Sequence, residues 1–151
     1  MKKKISVCSL LLFAVLSSCA TAQVESSSSD YVVPEEKQIL WTDCLKQEET
    51  DYLVFLYSDT CANCHEIMGD VLAFSDENII KVYFSEISKG ELKIPISRDV
   101  DETLGVTDIN YFFIAGTPTI IEIYEGTIIA NIPGMDDCLS FLNEQRLNNE
   151  N

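Results

Sequence analysis

The chain is short of positive charge. Its 151 residues carry 10 Lys and Arg against 25 Asp and Glu, a net charge of −15. That balance argues against nucleic acid, which rewards basic patches. Otherwise acidity reports on solubility and names no partner. A long apolar run is also missing. The stretch ISVCSLLLFAVL (5–16) has 12 residues, too short for a bilayer span of about 20. No internal repeat is present, and the length favours one domain. The composition, 46% hydrophobic and 23% charged, suits an ordinary packed core.

What the N-terminus does have is an export pattern. Lys2, Lys3 and Lys4 precede the apolar run, as in a signal peptide. The run ends in LSSC at 16–19, which resembles a bacterial lipobox: an aliphatic residue, two small residues, then the Cys that receives lipid. The resemblance implies cleavage before Cys19 and diacylglyceryl attachment to its sulfur. The expected place is then the extracytoplasmic face of a bacterial cell membrane, held by a lipid anchor. One lipid chain anchors weakly, so such proteins rely on two or three. Removing residues 1–18 takes away three lysines, Cys8 and no acid. That leaves 7 basic against 25 acidic residues, a net −18. The next residues, ATAQVESSSSD, hold four consecutive serines and no apolar periodicity, and read as a tether. The expected organisation is a lipoprotein signal peptide (1–18), a lipidated Cys and Ser-rich tether (19–30) and a folded domain (31–151).

Five cysteines remain, in a compartment where disulfides persist. Two sit in YSDTCANCHE (57–66), where Cys61, Cys64 and His65 form C-x-x-C-H. That string fits a c-type haem attachment, with the His as axial ligand. It fits equally a dithiol that cycles to a disulfide. The five residues alone do not choose.

The surroundings are more informative. PEEKQILWTDCLKQEE (34–49) places Ile39, Leu40, Trp41, Cys44 and Leu45 at helical spacing, and predicts an amphipathic helix. Pro34 and two glutamates suit its first turn. YLVFLYS (52–58) is a near-continuous apolar run, as in a strand covered on both faces. Thr60 is the expected N-cap of a helix carrying CANCHEIMGDVLAF. IIKVYFSEI (79–87) predicts a second strand, and 97–108 a short helix. TIIEIYEGTIIANIPG (119–134) predicts a hairpin turning at Glu125-Gly126. MDDCLSFLNEQ (135–145) predicts a closing helix. Helices alternating with strands imply an α/β fold with a mixed sheet of about four strands and helices on both faces.

In this order the chain resembles the thioredoxin-like fold family. Three features carry the resemblance: C-x-x-C after an apolar strand and opening a helix, GTPT (116–119) directly before a strand, and the final hairpin with its glycine. It covers roughly residues 35–145, nearly the whole domain. It implies that Thr117-Pro118 is cis, a form almost confined to X–Pro. It implies that this loop lies against the Cys pair, and that Thr117 and Pro118 contact a bound peptide. It further implies thiol–disulfide exchange with no cofactor and no metal. Cys61 would be the attacking thiol and Cys64 the resolving one. The expected partners are cysteine-containing exported proteins and a membrane redox partner. The class alternative is a non-catalytic binding or accessory lipoprotein for peptide export.

The chain departs from thioredoxins in three places. Phe55 stands where a buried acid usually helps move a proton off the second thiol. Thr60 replaces the usual Trp before the first Cys. The stretch leading to Pro118 is longer by about a dozen residues, enough for an elaborated loop.

Rival chemistries are weaker. For haem, Met68 lies on the same helix as His65 and cannot reach the opposite haem face, which leaves Met135. For zinc, Cys44 and Cys138 are far apart and form no second pair. Those two are expected as buried, free thiols.

Overall fold

The computed structural model describes residues 31–150. The expected signal peptide, the lipid-bearing Cys19 and the serine tether lie outside the described residues. The organising element is β1 (Asp51–Tyr57), whose last six residues are all buried. An apolar run without polar alternation has no solvent face to offer, so it becomes an inner strand. The sheet order is β2-β1-β3-β4, with β2 at Lys81–Glu86, β3 at Thr119–Tyr124 and β4 at Thr127–Pro133. β2 runs parallel to β1, reached through α1 (Ala62–Asp76). β3 is antiparallel to both β1 and β4. α2 (Met135–Asn149) closes the chain.

Alternation along the strands divides the core in two. Leu53, Phe55, Tyr57, Val82, Phe84 and Ile120 face α1 and α2, meeting Cys64, Ile67, Val71, Phe74, Cys138 and Leu142. Tyr52, Val54, Leu56, Tyr83, Ile121 and Ile123 face the other way, onto Trp41, Cys44, Ile94, Phe112 and Ile114. Both long helices cover the first face. Short 3-10 helices and the long 88–115 stretch cover the second.

The register of β4 shows how it serves both faces. Ile128 pairs with Ile123 and Ala130 with Glu122, so Ile129 is an extra residue, a β-bulge. A bulge shifts the side-chain alternation by one. Ile128 therefore faces the second core, while Ile132 packs against the first.

The expected helix over 34–49 is replaced by two 3-10 turns, Glu35–Lys37 and Trp41–Asp43. Between them Gln38 bridges to Phe84, and Ile39 N–H donates to the Phe84 carbonyl at 3.0 Å. Pairing with the edge of β2 holds this backbone extended, which a continuous helix cannot match. The short helix expected in 97–108 is a 3-10 turn, Val100–Thr103. Residues 110–116 lead through another 3-10 turn, Ile109–Tyr111, to a bridge between Ile114 and Ile96. Among the described residues no helix is long and apolar enough to cross a membrane.

Candidate active site

The site forms where β1 ends and α1 begins. The N-cap is Cys61 rather than Thr60: its backbone is extended (φ −91°, ψ 108°) and its Sγ accepts a hydrogen bond from Cys64 N–H at 3.1 Å. Serine-like capping by a sulfur satisfies one of the four orphan donors at a helix start. α1 has no acidic residue in its first turn. Nothing there opposes the positive end of the helix dipole, which favours a thiolate at Cys61.

Cys61 and Cys64 form a disulfide, with Cα atoms 5.2 Å apart. That separation lies inside the range a disulfide spans. Cys61 is half-buried, whereas Cys64 is 1% exposed.

The Thr117-Pro118 peptide bond is cis, and the Thr117 carbonyl oxygen lies 3.4 Å from Cys61 Sγ. Residues 56 apart in the chain thus meet across the site. The loop is pinned from both sides. Thr119 Oγ1 donates to the Gly116 carbonyl at 2.7 Å. Gly134 N–H, at the end of β4, donates to the Pro118 carbonyl at 2.8 Å. Pro118 is buried and Thr117 half-buried.

His65 is exposed, and its Nε2–H donates to the Asp59 carbonyl at 2.7 Å. It therefore braces the loop ahead of Cys61. A cleft of about 460 Å³ opens on this side, lined by Cys64, His65, Met68, Tyr57, Asp59 and, from the leading segment, Tyr31–Val33. Cys64 thus borders this cleft, while the Thr117 loop lies against Cys61. Sequence reading singled out Cys61, Cys64, Thr117 and Pro118, and the fold brings all four together. It missed the cleft and Tyr57. Tyr57 read only as one more apolar position of a strand, and nothing in the sequence marks it as sharing a cleft with Cys64.

Phe55 is fully buried. It stacks on Tyr57 at 5.8 Å between centroids and meets Phe84 edge-on at 6.0 Å. No carboxylate stands at that position, and the surroundings are aromatic. Cys44 and Cys138 are free and buried on opposite faces of the sheet. Burial pushes each thiol up to about 12.

No protein-family model matches the chain, and no curated protein sequence does. Solved structures do resemble it. A mutant thioredoxin from Halobacterium salinarum is 11% identical with a TM-score of 0.50; the match covers 78% of this chain and 95% of that one. Thioredoxin f2 of Chlamydomonas reinhardtii is 17% identical, TM-score 0.48, over 72% and 94% of the two chains. Thioredoxin O2 of Arabidopsis thaliana, in its oxidised state, is 17% identical, TM-score 0.47, over 76% and 97%. At these identities the likeness is one of architecture. The chain has a thioredoxin-like α/β fold, with a four-stranded mixed sheet and a cysteine pair at the start of its first long helix.

Proposed function

We propose that the protein is a thiol–disulfide oxidoreductase, tethered by lipid at Cys19 to the extracytoplasmic face of the cell membrane. The observation that carries the reading is the Cys61–Cys64 pair: one sulfur half-exposed at a helix N-terminus, the other buried one turn on, with the cis Thr117-Pro118 loop against the first. A binding protein has no need of two thiols so arranged. In the reaction Cys61 thiolate attacks a client disulfide and forms a mixed disulfide. Cys64 then attacks Cys61, closes the intramolecular disulfide and releases the client thiolate. Run backwards, the same steps oxidise a client dithiol. The clients are cysteine-containing exported proteins, and a membrane redox partner resets the pair. The LSSC motif at 16–19 supports the anchor.

The test is reduction of insulin, together with oxidation of a reduced, unfolded protein. Cys61→Ser abolishes whichever activity is present. An unsubstituted protein inert in both assays defeats the reading. The Cys61–Cys64 potential gives the direction: about −120 mV marks an oxidant and about −270 mV a reductant.

A further inference from the structure

The exchange reaction poses a problem at Cys64. Its thiol must lose a proton before it can attack, yet it is 1% exposed and Phe55 leaves it without a neighbouring carboxylate at that position. Burial by itself disfavours the thiolate.

The cleft beside Cys64 supplies what Phe55 does not. Tyr57 lines it together with Cys64. Tyr57 is 8% exposed, and its ring is fixed flat against Phe55 with an interplanar angle of 10°. Tyr57 shares a buried cluster with Cys64, and its hydroxyl, which is not an orphaned buried atom, makes no hydrogen bond to any described residue. Charged and titratable groups reach this cleft from every side. Asp59 comes from the loop after β1, His65 from α1, Tyr31 from the leading segment and Lys89 from the loop after β2. Glu86 is Tyr57's register partner on β2. It is also buried, but its carboxylate is already taken, accepting from Ser88 N–H at 3.1 Å and Ser88 Oγ–H at 2.7 Å. Burial first, then the Asp59 and Glu86 charges, raise the Tyr57 pKa above the ordinary tyrosine value. The phenol therefore keeps its proton and can act as a donor at neutral pH.

We propose that Tyr57 is the positioning residue for Cys64: its hydroxyl donates a hydrogen bond to the Cys64 thiolate across the cleft, in place of the proton acceptor that Phe55 cannot be. This rests on the oxidoreductase reading and assigns the residue that makes its second step run. In that step the Cys64 proton passes to water in the cleft. Cys64 Sγ attacks Cys61 Sγ, the Cys61–Cys64 bond forms and the Cys61–client bond breaks. The Cys64 sulfur is oxidised and the client sulfur is reduced. The client leaves as a thiolate and takes up one proton from solvent, so protons and electrons balance. In the reverse direction the same hydroxyl stabilises Cys64 as leaving group.

The test is Tyr57→Phe, which removes one oxygen and keeps the stack on Phe55. Two rates are compared across pH 5–9. The first is attack by Cys61, measured as capture of a disulfide substrate in a Cys64→Ser background. The second is resolution, measured as client release with both cysteines present. The expected result is an unchanged first rate and a resolution rate lower by about tenfold, the scale of one lost hydrogen bond to a charged group. In a Cys61→Ser background, the thiolate absorbance of Cys64 titrates about one pH unit higher once Tyr57 is Phe. Cys44 and Cys138, pushed to about 12, stay silent in that window. Resolution and titration both unmoved by Tyr57→Phe overturn the assignment while leaving the oxidoreductase reading intact. Failure of Cys61 to capture substrate at all removes that reading, and this one with it.

Discussion

Among the cysteines, position decides reactivity more than residue type does. Cys61 caps a helix and touches the Thr117 loop, whereas Cys44 and Cys138 are sealed in separate cores. A thiol at about 12 has roughly one part in ten thousand as thiolate at pH 8, and only the thiolate reacts. Iodoacetamide added to the reduced, folded protein at pH 8 should therefore modify Cys61 and leave the Cys44 and Cys138 peptides untouched by mass spectrometry. All should react in guanidinium. Labelling of Cys138 in the folded protein would show that α2 leaves the sheet far more easily than its buried contacts imply. The separate fates of these thiols were largely legible from sequence, since one pair has C-x-x-C spacing and the others fall among apolar neighbours. Tyr57 was not legible. Nothing in a linear string says that the end of β1 and the first turn of α1 share a cleft.

At the scale of elements, the strands and both α-helices were readable because their periodicities are long and uninterrupted. The hairpin was readable from its turn. Glu125 (φ 49°) and Gly126 (φ 71°) both adopt the left-handed region, as a two-residue type I′ connection requires. Glu is a poor choice for the first of these positions, and Asn a good one. Glu125→Asn should stabilise the protein by about 0.5–1 kcal/mol, read as a higher denaturant midpoint at unchanged slope. The backbone bond from Glu125 N–H to the Thr50 carbonyl (2.7 Å) survives the change. A lower midpoint would mean that the Glu125 side chain makes a contribution the turn geometry does not reveal. The segment 34–49 misled because its apolar spacing is helical while its partners lie on two sides. Ile39, Trp41, Cys44 and Leu45 pack into the second core while Lys37 reaches Ser75 and Asp76 of α1, with the extended bridge of Gln38 to β2 between them. Tertiary pairing outweighed a weak local preference. In 88–115 short local turns alternate with bonds to distant strands, such as Gly105 N–H to the Ile128 carbonyl and Ile128 N–H to the Val106 carbonyl, so no single period runs through it.

For the whole molecule, carboxylates dominate, and they do not all act in one direction. Burial raises Glu122, with the nearby Asp51 charge adding to the effect, and burial raises Asp51. A raised carboxylate binds its proton more tightly when folded. Its penalty is full above the folded pKa and is relieved as pH falls through it. Glu77 is the opposite case. The Arg146 guanidinium, donating through Nε and Nη2 at 2.8 Å, holds it below the usual carboxylate range and ties the end of α1 to α2. That contribution is present above the ordinary carboxylate pKa and is lost as pH falls through the lowered one. General repulsion within a chain of net charge −15 also eases on acidification. Stability should therefore rise from pH 7 toward the upper carboxylate range and fall again below about pH 4, where the Glu77 pairing is lost. Glu122→Gln isolates the first effect, because its amide oxygen can still accept from Gln145 Nε2, now 3.5 Å away. The variant should melt higher than the unsubstituted protein at pH 7, and the gap should close as pH falls to 4. A gap that is independent of pH would assign the gain to packing instead of charge. A variant less stable at pH 7 would mean that the ionised Glu122 is held by partners worth more than its desolvation.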